Sequence, residues 1–128
     1  MTINPELIIL LVEDSGFQRE YALAQLQEIG FDRVIEAQDG IEAFKHIQKR
    51  KVDLVISDWE MPNMDGVQFF EKLKNNSMYE KIPFILLTTK VEKEKIISAG
   101  KAGITHYLVK PLDKKILKRK LETIFGET

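Results

Sequence analysis

Glu13 with Asp14, Asp58, Thr88 and Lys110 each follow directly on a short apolar run. Together they are the groups needed to handle a phosphoryl group: carboxylates to hold a divalent cation or attack phosphorus, and a hydroxyl and an ammonium to meet the phosphoryl oxygens. Unit charges about 4 Å apart repel by roughly 4 kcal/mol at an effective dielectric near 20, so carboxylates sharing one pocket need a cation or a raised pKa. Oxygen donors without clustered histidine or cysteine favour Mg²⁺, with Mn²⁺ as the alternative. One such ion and Lys110 would balance Glu13, Asp14 and Asp58. An acyl phosphate on Asp58 adds about one further negative charge, which would draw in the Thr88 hydroxyl and the Lys110 ammonium.

Side chains this far apart in sequence become neighbours only if the runs are parallel strands, whose carboxyl ends share one edge of the sheet. The apolar runs are Leu7 to Val12, Val34 to Ala37, Val52 to Ser57, Phe84 to Leu87 after Pro83, and Tyr107 to Val109. Helical spacing alternates with them. A first helix from about Ser15 to Ile29 presents Phe17, Tyr21 and Ala24, with Gly30 as its stop; Asp39 caps a second carrying Ile41, Phe44 and Ile47 on one side. Val67, Phe70 and Leu73 mark a third, Val91 to Ala99 a fourth ended by Gly100, and Leu117, Leu121, Ile124 and Phe125 the last. Strict succession of strand and helix implies a parallel α/β sheet covered by helices on both faces.

Composition agrees. With 128 residues, 44% hydrophobic and 30% charged, the chain suits one globular domain, and a net charge of -1 favours neither nucleic acid nor an anionic membrane surface. No cysteine is present, which excludes disulfides and thiolate chemistry and fits a reducing compartment. The longest apolar run is far too short to span a bilayer, and no leader pattern opens the chain, so a cytoplasmic location is expected.

Glu13-Asp14, the segment Asp58-Trp59-Glu60-Met61-Pro62-Asn63-Met64-Asp65-Gly66, Thr88, and Tyr107-Leu108-Val109-Lys110-Pro111 resemble the receiver domain of bacterial two-component response regulators, over essentially the whole chain. The Asp58-Trp59 pair, Tyr107 and an ending soon after the last helix look most like the family's single-domain chemotaxis regulators. The resemblance implies a doubly wound, flavodoxin-like fold with strand order 2-1-3-4-5, residues 1–128 being one receiver domain with no output domain. It implies that Asp58 accepts a phosphoryl group from the phosphohistidine of a sensor histidine kinase or from a small acyl phosphate. Asp14, Asp58 and the Glu60 backbone carbonyl would hold Mg²⁺, with Glu13 acting mainly through water. Thr88 would close on the phosphoryl group, Tyr107 would rotate inward behind it, and Lys110 would pair with a phosphoryl oxygen. Lys110-Pro111 would be cis, an isomer that sequence alone assigns to only about 5% of X–Pro bonds. Signalling would alter the surface of the fourth helix, fifth strand and fifth helix, and the target would be a flagellar motor switch protein, with a phosphatase as a further partner. Such a protein is a monomer and no enzyme beyond its own phosphorylation and dephosphorylation. A phosphorelay intermediate is the alternative.

Each feature has a plainer meaning alone: Asp65-Gly66 a turn, Glu13-Asp14 a helix cap, Thr88 and Thr89 strand residues, Tyr107 core packing, Lys110 a solvated lysine. The lysines of the last helix read as a solvated face or as a patch for an acidic partner, and His46 and His106 as surface residues. Jointly, the plain meanings leave the coincidence at four of five strand ends unexplained. Thr89 and His106 are bulkier than the family usually has there. Glu60 and Lys90 flank the site with opposite charges, which suggests a surface pair across its mouth, worth about 0–1 kcal/mol. An aspartyl-phosphate hydrolase of the haloacid-dehalogenase type would place its nucleophile after the first strand, with a second aspartate two residues on and a cap domain. A flavin binder would need a Gly-, Ser- and Thr-rich first loop, whereas Glu13-Asp14-Ser15-Gly16 repels phosphate.

Overall fold

A computed structural model describes residues 3–89 and 93–126, the side chains of 93–95 excepted. Ten elements alternate: β1 (Ile9–Val12), α1 (Gly16–Ile29), β2 (Val34–Ala37), α2 (Gly40–Lys49), β3 (Leu54–Asp58), α3 (Gly66–Lys74), β4 (Phe84–Thr88), α4 (Lys93–Ala102), β5 (Tyr107–Val109) and α5 (Lys114–Phe125). Five strands form one sheet in the order β2-β1-β3-β4-β5, every pairing parallel. The fold class and strand order are those the sequence and the family resemblance imply.

Successive residues of a strand face opposite sides, so β1 contributes to two cores at once. Leu10 and Val12 pack with Ala43, Ile47, Phe69, Phe70 and Leu73 under α2 and α3, while Ile9 and Leu11 pack with Ala22, Leu26, Leu117 and Leu121 under α1 and α5. Burial on both faces explains why β1, β3 and β4 have no outward polar position along their apolar lengths. Chain order reverses between β1 and β3, which opens a crevice at their carboxyl ends.

Several local expectations change. On α1 the buried residues are Ala22 and Leu26, whereas Phe17 is 81% exposed, Tyr21 45% exposed and Ala24 also outward. The helix carries two apolar stripes at helical spacing, and the sheet takes the one containing the bulky Leu26. On α2, Ile41 faces outward and Gly40, Ala43 and Ile47 face the core. Gly100 does not stop α4, which runs to Ala102; Gly103, at φ 106, makes the left-handed exit that favours glycine. The expected start of that helix at Val91 lies outside the described residues. Strand limits also shift: β1 starts at Ile9 because the Ile8 N–H donates to Asp53 Oδ2 at 2.8 Å, and β3 and β4 extend through Asp58 and Thr88 themselves. Among the described residues, no helix is long and apolar enough to cross a membrane.

Candidate functional site: an acidic pocket at the switch point

β1 ends with the Glu13 N–H donating to the Ala37 carbonyl, which continues the ladder and carries the Glu13 side chain into the crevice, where it is 2% exposed. Glu13 Oε1 accepts from the Lys110 ammonium, and Oε2 accepts from the Ser15 N–H at 3.0 Å. The Glu13 carbonyl is held by Arg19 Nη1 at 2.8 Å, while Arg19 Nε reaches Glu36 Oε1 at 3.2 Å. Asp14, next along the chain, projects to the exposed side.

Asp58 arrives as the last residue of β3 and is also buried. Its Oδ1 accepts from the Trp59 N–H at 2.8 Å and lies 3.1 Å from Lys110 Nζ. Lys110 is placed by its own backbone, whose N–H donates to the Thr88 carbonyl at 2.8 Å, and the Lys110-Pro111 bond that follows is cis, as the resemblance implies. Thr88 is buried at the end of β4 and Thr89 is exposed.

The loop from Trp59 to Gly66 folds back on Asp58. Gly66 donates to the Trp59 carbonyl at 2.8 Å, and a Cβ on Gly66 would sit 2.3 Å from the Asp58 carbonyl oxygen, so only glycine fits. Asp65 and Gln68 then close a reciprocal capping box that starts α3, which gives Asp65 more than the turn role its sequence suggests. Asn63, at φ 67, donates to Asp39 Oδ2 at 2.9 Å, tying this loop to the cap of α2.

Oxygens from Glu13, Asp14 and Asp58 lie within 4.8 Å of one another. A cavity of about 260 Å³ is lined by these three acids with Thr88, Lys110, Trp59, Glu60 and Thr89. Among the described residues, three carboxylates face one ammonium in the cavity, and the acids show the strain: partial desolvation, then Glu13, pushes the Asp14 carboxyl above its ordinary value, and burial pushes Asp58 up against the downward pull of Lys110. A small hard dication taking a few carboxylate oxygens, with room left for water and phosphate, fits this donor set.

The geometry therefore gathers Glu13, Asp14, Asp58, Glu60, Thr88 and Lys110, and it leaves two expected residues outside the cavity. Tyr107 is 38% exposed on β5, and Pro111 lines a neighbouring apolar groove with Phe17, Tyr21 and Leu112. Lys90 lies outside the described residues, so its pairing with Glu60 does too. Gln18 escapes a sequence reading yet lines the cavity, its Oε1 accepting from Lys110 Nζ at 2.6 Å. Its signal is its position in the first turn of α1, directly above the Glu13-Asp14 corner.

This is a doubly wound, flavodoxin-like α/β protein whose ligand crevice is an acid cluster clamped by one lysine. The family model for the response regulator receiver domain matches residues 9–122, and the chain belongs to that family. It is 39% identical over 119 residues to a chemotaxis protein CheY homolog of Campylobacter jejuni, covering 92% of each protein. Among solved structures, CheY4 of Vibrio cholerae superposes with a TM-score of 0.83 at 34% identity, over 93% of this chain and 98% of that one. The receiver domain of the sensor histidine kinase PA1611 of Pseudomonas aeruginosa superposes at 0.85 with 28% identity, over 95% and 99%, and carries a magnesium ion coordinated in its active-site cleft.

Proposed function

We propose that the chain is a phosphorylation-activated signalling switch with Asp58 as its phosphoacceptor. The observation that supports this most directly is the buried Asp58 carboxylate at the switch point, 3.1 Å from Lys110 and clustered with Glu13 and Asp14. An Asp58 carboxylate oxygen attacks phosphorus as the P–N bond of a kinase phosphohistidine, or the P–O bond of a small acyl phosphate, breaks and the leaving group keeps the electron pair. Lys110 and the Thr88 hydroxyl stabilise the phosphoryl oxygens. Asp14, Asp58 and the Glu60 carbonyl would hold Mg²⁺, which supplies positive charge to those oxygens. Both Glu13 oxygens are engaged, by Lys110 and by the Ser15 N–H, which leaves Glu13 to act on the ion through water.

Loss of Lys110 and Thr88 to the phosphoryl group then changes the α4, β5 and α5 surface, where Ile97, Tyr107, Val109 and Ile116 expose apolar side chains. Tyr107 turns inward in that step. Kinship with proteins named for chemotaxis supports a sensor histidine kinase upstream and a flagellar motor switch protein downstream, in the cytoplasm.

Incubation with Mg²⁺ and acetyl phosphate, followed by intact mass and Trp59 fluorescence, tests the reading. It predicts a gain of one phosphoryl group that needs Mg²⁺ and disappears in Asp58→Asn. Sustained turnover of an organic phosphate, or labelling that survives Asp58→Asn, refutes it.

A further inference from the structure

Ser15-Gly16-Phe17-Gln18 has the residue order of a capping box, in which the glutamine at the third helical position reaches back to the N–H of the cap residue. Asp65 and Gln68 do this at the start of α3, where the Asp65 N–H donates to Gln68 Oε1 at 3.0 Å. At α1 only half the box forms: Ser15 Oγ accepts from the Gln18 N–H at 3.3 Å, but the Ser15 N–H goes to Glu13 Oε2. Gln18 Oε1 accepts from Lys110 Nζ instead, across 92 residues of sequence.

The Lys110 ammonium has three protons, and among the described residues three oxygens are placed on it: Glu13 Oε1, Asp58 Oδ1 and Gln18 Oε1. A phosphoryl oxygen on Asp58 is a fourth claimant and must displace one of them. Glu13 is charged and buried, Asp58 is the reacting group, and Gln18 is neutral and exposed. A bond from an ammonium to a neutral amide in contact with water is the weakest of the three and exchanges most readily for a charged oxygen. Gln18 is exposed, so once released its amide is satisfied by water.

We propose that Gln18 is a positioning residue for phosphoryl transfer: it holds Lys110 in its resting place and releases it as the phosphoryl group forms. The inference rests on Asp58 being the phosphoacceptor. It makes the Gln18 contact specific to the unphosphorylated state, so Gln18 slows phosphorylation while ordering the resting site.

Gln18→Met keeps the length and removes the acceptor, and Gln18→Glu adds a charge that holds Lys110 harder. With acetyl phosphate at saturating Mg²⁺, Gln18→Met is expected to phosphorylate about threefold to tenfold faster than wild type. Gln18→Glu is expected to be slower, with a deficit that shrinks as the pH is lowered and the new carboxyl protonates. Opposite directions cannot both come from damaged folding, and thermal unfolding midpoints check that directly. The side-chain nitrogen resonance of Lys110 gives a readout apart from rate: in resting Gln18→Met it moves toward the position that wild type adopts with Mg²⁺ and beryllium fluoride. A Gln18→Met rate equal to or below wild type, or both variants shifting the same way, overturns the inference while leaving Asp58 in its role. A wild-type chain that takes up no phosphoryl group overturns the parent reading and this inference together.

Discussion

Replacing Asp14 by asparagine should stabilise the metal-free protein and abolish its response to Mg²⁺. Among the described residues Asp14 faces two carboxylates within 4.8 Å and one ammonium in the same cluster, so one like-charge repulsion is left unbalanced. At that 4.8 Å span a unit pair repels by about 3.5 kcal/mol at an effective dielectric of 20 and by about 0.9 kcal/mol in bulk water. Asp14 is exposed, which moves the value toward the water limit, to about 1–2 kcal/mol. For a domain of this size that gain corresponds to about 3–10 °C in the unfolding midpoint. Asp14 and Asp58 both have carboxyls pushed above the ordinary value in the folded chain. Between the ordinary and raised values the folded state therefore binds more protons than the unfolded one, and stability falls as the pH rises through that window. Asp14→Asn should flatten part of this slope. Unfolding followed by Trp59 fluorescence, in EDTA and in millimolar Mg²⁺ across pH, measures all three effects. A variant that is less stable than wild type in EDTA, or that keeps the full Mg²⁺ stabilisation, refutes the shared acidic site.

Lys110→Met leaves Glu13 and Asp58 buried without a counter-charge and should cost about 3–5 kcal/mol at neutral pH, recovering in part on acidification, as urea unfolding at two pH values would show. Gly66→Ala drives a methyl against the Asp58 carbonyl and Leu86 Cδ1, which should cost about 1–3 kcal/mol and slow uptake of the phosphoryl group from acetyl phosphate, because the loop carrying Trp59 and Glu60 must shift. Asp39 shows the opposite pH sign to Asp14: the Glu42 N–H and the Asn63 amide lower its carboxyl, so its contribution is full above the ordinary carboxylate value and is lost as the pH falls through the lowered one. Asp39→Ala should thus cost about 1 kcal/mol at neutral pH and less at a pH low enough to protonate Asp39 in the folded protein, measured by thermal melts.

The convergence of Glu13, Asp14, Asp58 and Lys110 was legible because parallel strands leave no choice about which edge their carboxyl ends share. Asp39 as a cap and Gly30 as a stop were legible for local reasons: the Asp39 carboxylate takes the Glu42 N–H at 2.9 Å, and Gly30 sits at φ 121. The buried face of α1 was not. Its two apolar stripes are alike in spacing, and only the sheet decides between them. Gly100 and Gly103 pose the same difficulty, since either glycine can end a helix and the packing of Ile104 into the α3 side of the core selects the second. Gln18 was hidden for a different reason. Its local motif predicts a contact with the Ser15 N–H, but Glu13 takes that donor and Gln18 meets a lysine from the far end of the chain instead.

That competition is how a rigid sheet could host the proposed switch. β1, β3 and β4 are buried throughout and offer no slack, so charge added at Asp58 cannot be absorbed by moving strands. What can move are side chains at the strand ends with more than one acceptor in reach. Lys110 has three of them, and through its backbone it is tied to Thr88 and hence to the β4 and β5 ends that flank the exposed face. In the proposed switch, a phosphoryl group that recruits this ammonium would release Gln18 on the α1 side while the Thr88 hydroxyl meets the same group from the β4 side. On that proposal the site and the output surface would be coupled by a single cation's choice of partner, without any change in the register of the sheet.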